Sequence, residues 1–359
     1  MELLERILNG EVVNFANEKD YIEGIKTVEN NTEYVPEKIS SLKFIGDKDK
    51  INVFKKESED FDSSFNIIAE NGTFSCRPYS VKSLCERIGI SGSVLAKMDN
   101  EQLAKLLRSC IKVYKDEDEL TLAKIEDKCI AVLSDGYRVL WASDVFRDAI
   151  PEIEKLGGRF ISGLIGLDIF EGSYLINNRA LKDLYDEKFD ELKDAVPLVS
   201  ITTSNTGLSS VTITPKFRIR GVDMIIGKSL RNLHKGSSTH DAVKENIRQI
   251  FAMFKAASEE LSKLKKVKIE NPLCCLKNVA KRVLISKKYA MMAAEDFENF
   301  IDDEEEITAY DVYFALSEVV FHAENDDKPK LFLNNLQEQV SRALFIDFSK
   351  YDTPYSDWN

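Results

Sequence analysis

Six cations and a histidine crowd one short stretch of this chain: Lys216, Arg218, Arg220, Lys228, Arg231, His234 and Lys235. Side chains alternate along an extended strand, so positions 216, 218 and 220 share one face. Three like charges on one strand face repel each other unless an anion or a partner meets them. The segment from Lys228 to Gly236 then leads to a helix that Thr239 or Asp241 is expected to cap. Free N–H groups and the dipole at a helix N-terminus favour phosphate. Phosphate contacts of this kind need no sequence motif, which suits nucleic-acid binding without sequence preference. Tyr137 and Phe217 are the nearby rings on which bases could stack. The competing reading is that carboxylates from elsewhere in the chain cover the same face, and the sequence leaves both open.

Other chemistries find less support. There are three histidines (His234, His240, His322) and no Cys-x-x-Cys, so a zinc site is not expected. The run Asp302-Asp303-Glu304-Glu305-Glu306 reads as a solvated loop or helix start. No Gly-x-x-x-x-Gly-Lys-Ser/Thr is present, and Gly157, Gly158, Gly163 and Gly166 do not form a dinucleotide fingerprint. Thr239-His240-Asp241 has hydrolase-like residue types, but sequence neighbours do not make a triad. No catalytic constellation stands out, so an enzyme is the least favoured class and no cofactor is expected. Ser83 to Met98 could form a helix-turn-helix around Gly89, yet its second helix offers few side chains for base edges. An ordinary packed helical pair is the better reading there.

The elements that must position these residues follow from composition and periodicity. The 359 residues suggest about two domains, and 43% hydrophobic content can build a real core. No apolar run approaches the roughly 18 residues that span a bilayer. The first residues, MELLERILNGEVVNF, lack a secretion pattern. Six cysteines, two of them adjacent (Cys274, Cys275), do not resemble a disulfide framework, so free thiols and a cytoplasmic setting are expected. The net charge of −12 is uneven: residues 216–288 hold 18 Lys+Arg against 6 Asp+Glu. Residues 295–327 hold 13 acids and no Lys or Arg.

Residues 1–72 read as short strands and turns around an initial helix. Helices are expected from Ser80 to Ile88, stopped by Gly89, and from Asp99, whose spacing to Gln102 is that of a capping box. Cys129 to Leu133 reads as a strand, Ser134-Asp135-Gly136 as a turn and Tyr137 to Trp141 as a return strand. Ser143 or Asp144 is expected to cap a helix reaching Leu156. Strands follow at 164–176, 198–203 and 208–226, with Pro215 marking an edge or a break. A long helix runs to Leu264, and the segments 276–300, 309–323 and 331–345 look helical.

Four segments carry a family resemblance. Ser80-Val81-Lys82-Ser83-Leu84-Cys85-Glu86-Arg87-Ile88-Gly89-Ile90 is similar to a "Leu-Cys-x-Arg-Leu-Gly-Ile" helix. Ala131-Val132-Leu133-Ser134-Asp135-Gly136-Tyr137-Arg138, Ser204 to Ile213, and Arg231-Asn232-Leu233-His234-Lys235-Gly236 match further motifs in the same order. Together they resemble a phage- and plasmid-borne family catalogued as a domain of unknown function (nine-three-two in that series). One departure is Gly221-Val222-Asp223-Met224, where that family often has Cys-Thr-Asn-Gly. The resemblance covers about 70–260 and implies a mobile-element protein of α+β build, with no settled activity.

The expected fold is α+β: a central antiparallel sheet with a long packed helix, plus a mainly helical C-terminal region. The expected divisions are 1–75, an N-terminal α/β segment; 76–270, the α+β core; and 271–359, the helical acidic region. The order of strands, then cations, then helix is similar to that of single-strand annealing proteins. The leading functional expectation is non-enzymatic nucleic-acid binding, by a phage, prophage or plasmid protein, through Arg138, Lys216, Arg218, Arg220, Lys228, Arg231, His234 and Lys235. The alternative is a protein–protein interaction factor that offers the acids of 295–327 to a host or phage protein. No membrane partner is expected, and a homo-oligomer is left open.

Overall fold

The computed structural model describes residues 2–56, 59–62, 64–176, 196–208, 210–219, 222–226, 229–232, 238–301, 306–326, 328 and 330–358. In chain order its early strands are β1 (Val13–Phe15), β2 (Glu33–Lys38), β3 (Lys43–Gly46), β4 (Phe65–Ala69), β5 (Gly72–Cys76), β6 (Glu119–Ile125) and β7 (Lys128–Ser134). The later ones are β8 (Gly158–Ile165), β9 (Phe170–Ile176), β10 (Val196–Thr203), β11 (Val211–Ile219), β12 (Val222–Ile225) and β13 (Leu230–Asn232). Helices α1 (Glu2–Leu8), α2 (Glu18–Asn31), α3 (Pro78–Arg87), α4 (Asn100–Cys110) and α5 (Ala142–Lys155) fall among the early strands. The rest are α6 (Ser238–Leu264), α7 (Pro272–Arg282), α8 (Lys287–Phe300), α9 (Ala309–Asn325) and α10 (Lys330–Ala343).

The α+β expectation holds, with two sheets where one was anticipated. The larger runs β1-β8-β9-β10-β11-β12, with β13 also on β11, and all its pairs are antiparallel. The smaller runs β2-β6-β7-β5-β4-β3, and only β5 and β7 among its pairs are parallel. Its strands come from both sides of residue 76, so the sequence division there does not fall between sheets.

Several elements have an identifiable cause. Helix α2, which the sequence reading missed, starts where Asn17 accepts from Lys19 N at 2.8 Å and Asp20 N at 3.2 Å. It buries Tyr21, Gly24, Ile25 and Val28 on one stripe. Gly163 on β8 lets that stripe approach, because a Cβ there would sit 2.3 Å from the Tyr21 ring. Strand β7 buries Ile130 and Ala131 in one core and Cys129 and Val132 in another, covered by α3 and α4. Burial on both faces explains its unbroken apolar run. Helix α6 lays Phe254 against Phe217 of β11, ring centroids 5.3 Å apart.

Four expectations need correction. Residues 137–141 form no strand, because Tyr137 turns away to hold a distant loop. After Gly89 (φ +72°) the chain makes only a short 3-10 turn at Leu95–Lys97, so no helix-turn-helix forms at 83–98. Trp141, not Ser143 or Asp144, stands at the N-cap of α5, and its first N–H groups are capped from outside the helix. The segment 276–300 holds two helices, α7 and α8, broken after Arg282.

Helix α5 is fastened to α6 through Glu152, whose carboxylate accepts from Arg248 Nε at 3.0 Å and Lys155 Nζ at 2.7 Å. The Arg248 and then the Lys155 hydrogen bonds pull its pKa down to about 2. A carboxyl lowered on folding adds stability above its unfolded pKa, and that contribution disappears as pH falls through the folded value. Glu152→Gln should therefore melt below the parent at neutral pH. Thermal melts from pH 7 downward should converge as pH falls from about 4.5 to about 2.

Candidate nucleic-acid interface

Strand β11 has two unlike faces. Val211, Ile213 and Phe217 point into the core under α6, and Thr212, Thr214, Lys216 and Arg218 point the other way. Phe217 is therefore sealed in the core and no base can stack on it, contrary to the sequence expectation. Pro215 fits because its carbonyl accepts from Ile226 N at 3.0 Å, so its nitrogen faces the outer edge. There β12 has ended and β13 has not begun.

The polar face continues across neighbouring strands by register. Thr202 stands beside both Thr212 and Glu171, and Ser200 beside both Thr214 and Ser173. Ser173 and Ser200 share a hydrogen bond at 3.1 Å, and Thr214 donates to Ser229 at 3.1 Å. Asn334, Asn335 and Glu338 of α10 wall this floor, leaving a cavity of about 150 Å³. The opposite side of α10 is anchored in the core by Leu333, Leu336 and Val340, so the wall is fixed.

The expected binding residues have separated fates. Lys216, with its side chain 7% exposed, lies 3.8 Å from Glu171, itself buried. Arg218 is 43% exposed and holds Asp223 in a fork, Nε at 2.6 Å and Nη2 at 3.1 Å. The Asp223 hydrogen bond raises the Arg218 pKa further. Arg231 is 52% exposed and meets Glu338 at 2.6 Å. Carboxylates thus meet each of these three cations: Glu171 and Glu338 come from elsewhere in the chain, Asp223 from the basic segment itself. Arg138 is exposed in the loop after β7, away from β11 in sequence and strand order. Arg220, Lys228, His234 and Lys235 lie outside the described residues.

No family model, no curated protein and no solved structure matches this chain.

All four segments that carry the family resemblance meet in space, the fourth through Arg231 and Asn232, which stand beside Thr212 and Val211. Ser83 Oγ accepts from Val132 N at 2.9 Å, tying the first to the second. Tyr137 Oη donates to Asn205 O at 3.4 Å, and Tyr34 Oη to the same oxygen at 2.9 Å. Burial pushes the Tyr137 hydroxyl up to about 12. Asn205 Oδ1 accepts from Ala142 N at 2.8 Å, while Glu29 accepts from Ser143 N at 2.9 Å. Together they cap α5 from residues far away in sequence. Gly207 (φ +74°) makes this turn possible, with the Tyr137 ring 3.2 Å from where its Cβ would be. These contacts are structural, and the sequence spacing could not have revealed them.

Among the described residues, no group of three or more His, Cys, Asp or Glu is placed to hold a metal ion. None of their helices is long and apolar enough to cross a membrane. The unequal burial of the strand cations is measurable. Lys216→Met should cost about 3 kcal/mol or more, because the Glu171 carboxylate stays buried without its cation. Arg218→Met should cost under about 1 kcal/mol, as expected for a half-exposed pair. Urea unfolding of the two variants beside the parent reads the difference directly.

Proposed function

We propose that this chain binds nucleic acid without catalysing a reaction, favouring single strands, as a protein of a phage, prophage or plasmid. The observation that carries the reading is the pair of half-exposed arginines, Arg218 of β11 and Arg231 of its neighbour β13. Arg231 stands beside Thr212, six residues from Arg218 along the strand, a separation of roughly 20 Å. A flexible strand several nucleotides long matches that reach. The guanidinium of Arg218 is already in the bidentate geometry that suits phosphate as well as carboxylate. Exposed ion pairs are worth only about 0–1 kcal/mol, so a polyanion can displace the carboxylates. The cavity beneath takes no phosphate on this reading, since its buried cation, Lys216, is balanced there by Glu171.

Anisotropy of labelled oligonucleotides, from low to physiological salt, tests the proposal. Binding should weaken steeply with salt, and Arg218→Gln with Arg231→Gln should lower the log–log salt slope by about 2. Asp223→Asn should tighten binding by freeing Arg218. Absence of binding at low salt would overturn the reading.

A protein partner on the C-terminal acids is the second reading. One observation favours it: Phe300 and Phe321 are exposed on the acidic helices α8 and α9. Deleting 295–327 cannot test it, because Val312, Leu316 and Val319 belong to the core. Phe300→Ser with Phe321→Ser, followed by loss of a specific captured partner, can.

A further inference from the structure

The second concentration of positive charge lies in the C-terminal helices. From Asn271 to Ala294 there are five basic residues, Lys277, Lys281, Arg282, Lys287 and Lys288, and no Asp or Glu. In a chain of net charge −12 this is a marked local reversal. The stretch covers α7, the connection 283–286 and the first half of α8.

The connection has a definite construction. Ile285 N donates to Ala280 O at 3.0 Å and Leu284 N to Lys281 O at 3.2 Å, which closes α7 with a Schellman turn. Leu284 occupies its left-handed position at φ +68°, where glycine is the usual residue. Its side chain is 72% exposed, so burial does not offset that strain. Ser286 then stands at the N-cap of α8, and Ala290 N donates to Ser286 O at 3.1 Å. Val279, Ala280, Val283, Ile285, Ala290 and Ala293 are all buried where the two helices and α9 meet. The alanines let the helices approach closely. Two helices joined by a four-residue connection through a left-handed residue, and backed by a third helix, match a helix-turn-helix in connection length and support.

In that motif the second helix reads the major groove with its N-terminal residues, and the first crosses the backbone. Here the start of α8 offers Ser286, Lys287 and Lys288, all exposed, and the end of α7 offers Lys281 and Arg282. Acids begin only at Glu295, roughly 12 Å along the helix axis from Lys287. The first turn can thus enter a groove about 8.5 Å deep while the acids stay outside. Lys281 pairs with Asp357 and Lys288 with Asp326, both exposed pairs that phosphate can replace. Among the described residues no carboxylate lies within ion-pair distance of Arg282 or Lys287.

We propose that α7 and α8 form a helix-turn-helix that docks on duplex DNA, with the first turn of α8 in the major groove. This surface is separate from the β11 edge and goes beyond the function proposed above.

The test compares a labelled mixed-sequence duplex with a labelled oligothymidine strand, using the full chain. Arg282→Gln with Lys287→Gln should weaken duplex binding roughly tenfold at low salt and lower its salt slope by about 2. Single-strand binding should not change. The wild-type chain should also protect guanine N7, a major-groove atom, from dimethyl sulfate. Because both side chains are exposed, melting temperature should hold, and Leu284→Gly should melt no lower than the parent. Equal duplex binding by variant and parent would overturn the proposal, as would equal loss from both probes. A parent that binds the strand but not the duplex would overturn this inference and leave the β11 edge standing; a parent that binds neither would sink both.

Discussion

A guanidinium cannot shed its proton, so burying one obliges the fold to surround it with acceptors. Arg77 is such a group, its side chain 2% exposed at the start of α3. Its Nε donates to Ile130 O at 3.0 Å, its Nη2 meets Asp168, and Glu59 lies 3.7 Å from Nη1. Asp168 belongs to the turn between β8 and β9, and it also accepts from Thr206 Oγ1 at 3.1 Å. One charge therefore binds the helix of the smaller sheet to two turns of the larger. Removing a partner would strand a buried ion, a cost of about 3–5 kcal/mol. This charge ties the two sheets together beside the apolar core they share, and through Thr206 it holds the turn at Asn205.

Much of the local structure was legible because its causes are local. Asp99 and Gln102 form the reciprocal cap their spacing implies, at 2.7 and 3.1 Å. Gly89 and Gly157 stop their helices with positive φ. Strand β10 was readable from its apolar and β-branched run. Helix α2 was also readable, since Asn17 precedes Tyr21, Ile25 and Val28 at helical spacing, but the charged residues between them obscured it. The capping of α5 was not readable, because Asn205 and Glu29 reach it from 63 and 114 residues away.

The functional residues divide in the same way. That positions 216 and 218 share a face followed from strand alternation, but the same rule puts Phe217 on the opposite face, against the stacking role expected of it. What alternation could not supply was the depth of each side chain. Glu171 sits beside Thr202 on a strand two ladders away, and α10 arrives from more than a hundred residues downstream. Lys216 is buried by those neighbours, while Arg218 and Arg231 stay at the rim. The acid-free stretch 271–294 was present in the charge pattern all along, but it was merged there with the basic strand residues. The structure separates the two into surfaces built on different elements.

The capping of α5 has a consequence for how the chain acquires its shape. The helix supplies Val145, Phe146, Ala149 and Ile153 to the main core, yet its first turn stays incomplete until residue 205 arrives. Strand β1 likewise waits for β8, its partner about 150 residues later. Contacts of such long sequence separation carry a large loop-closure entropy and slow the search for the native state. During synthesis, a ribosome that has not yet released the Asn205 turn holds a chain with this helix start uncapped and these apolar side chains still seeking their partners.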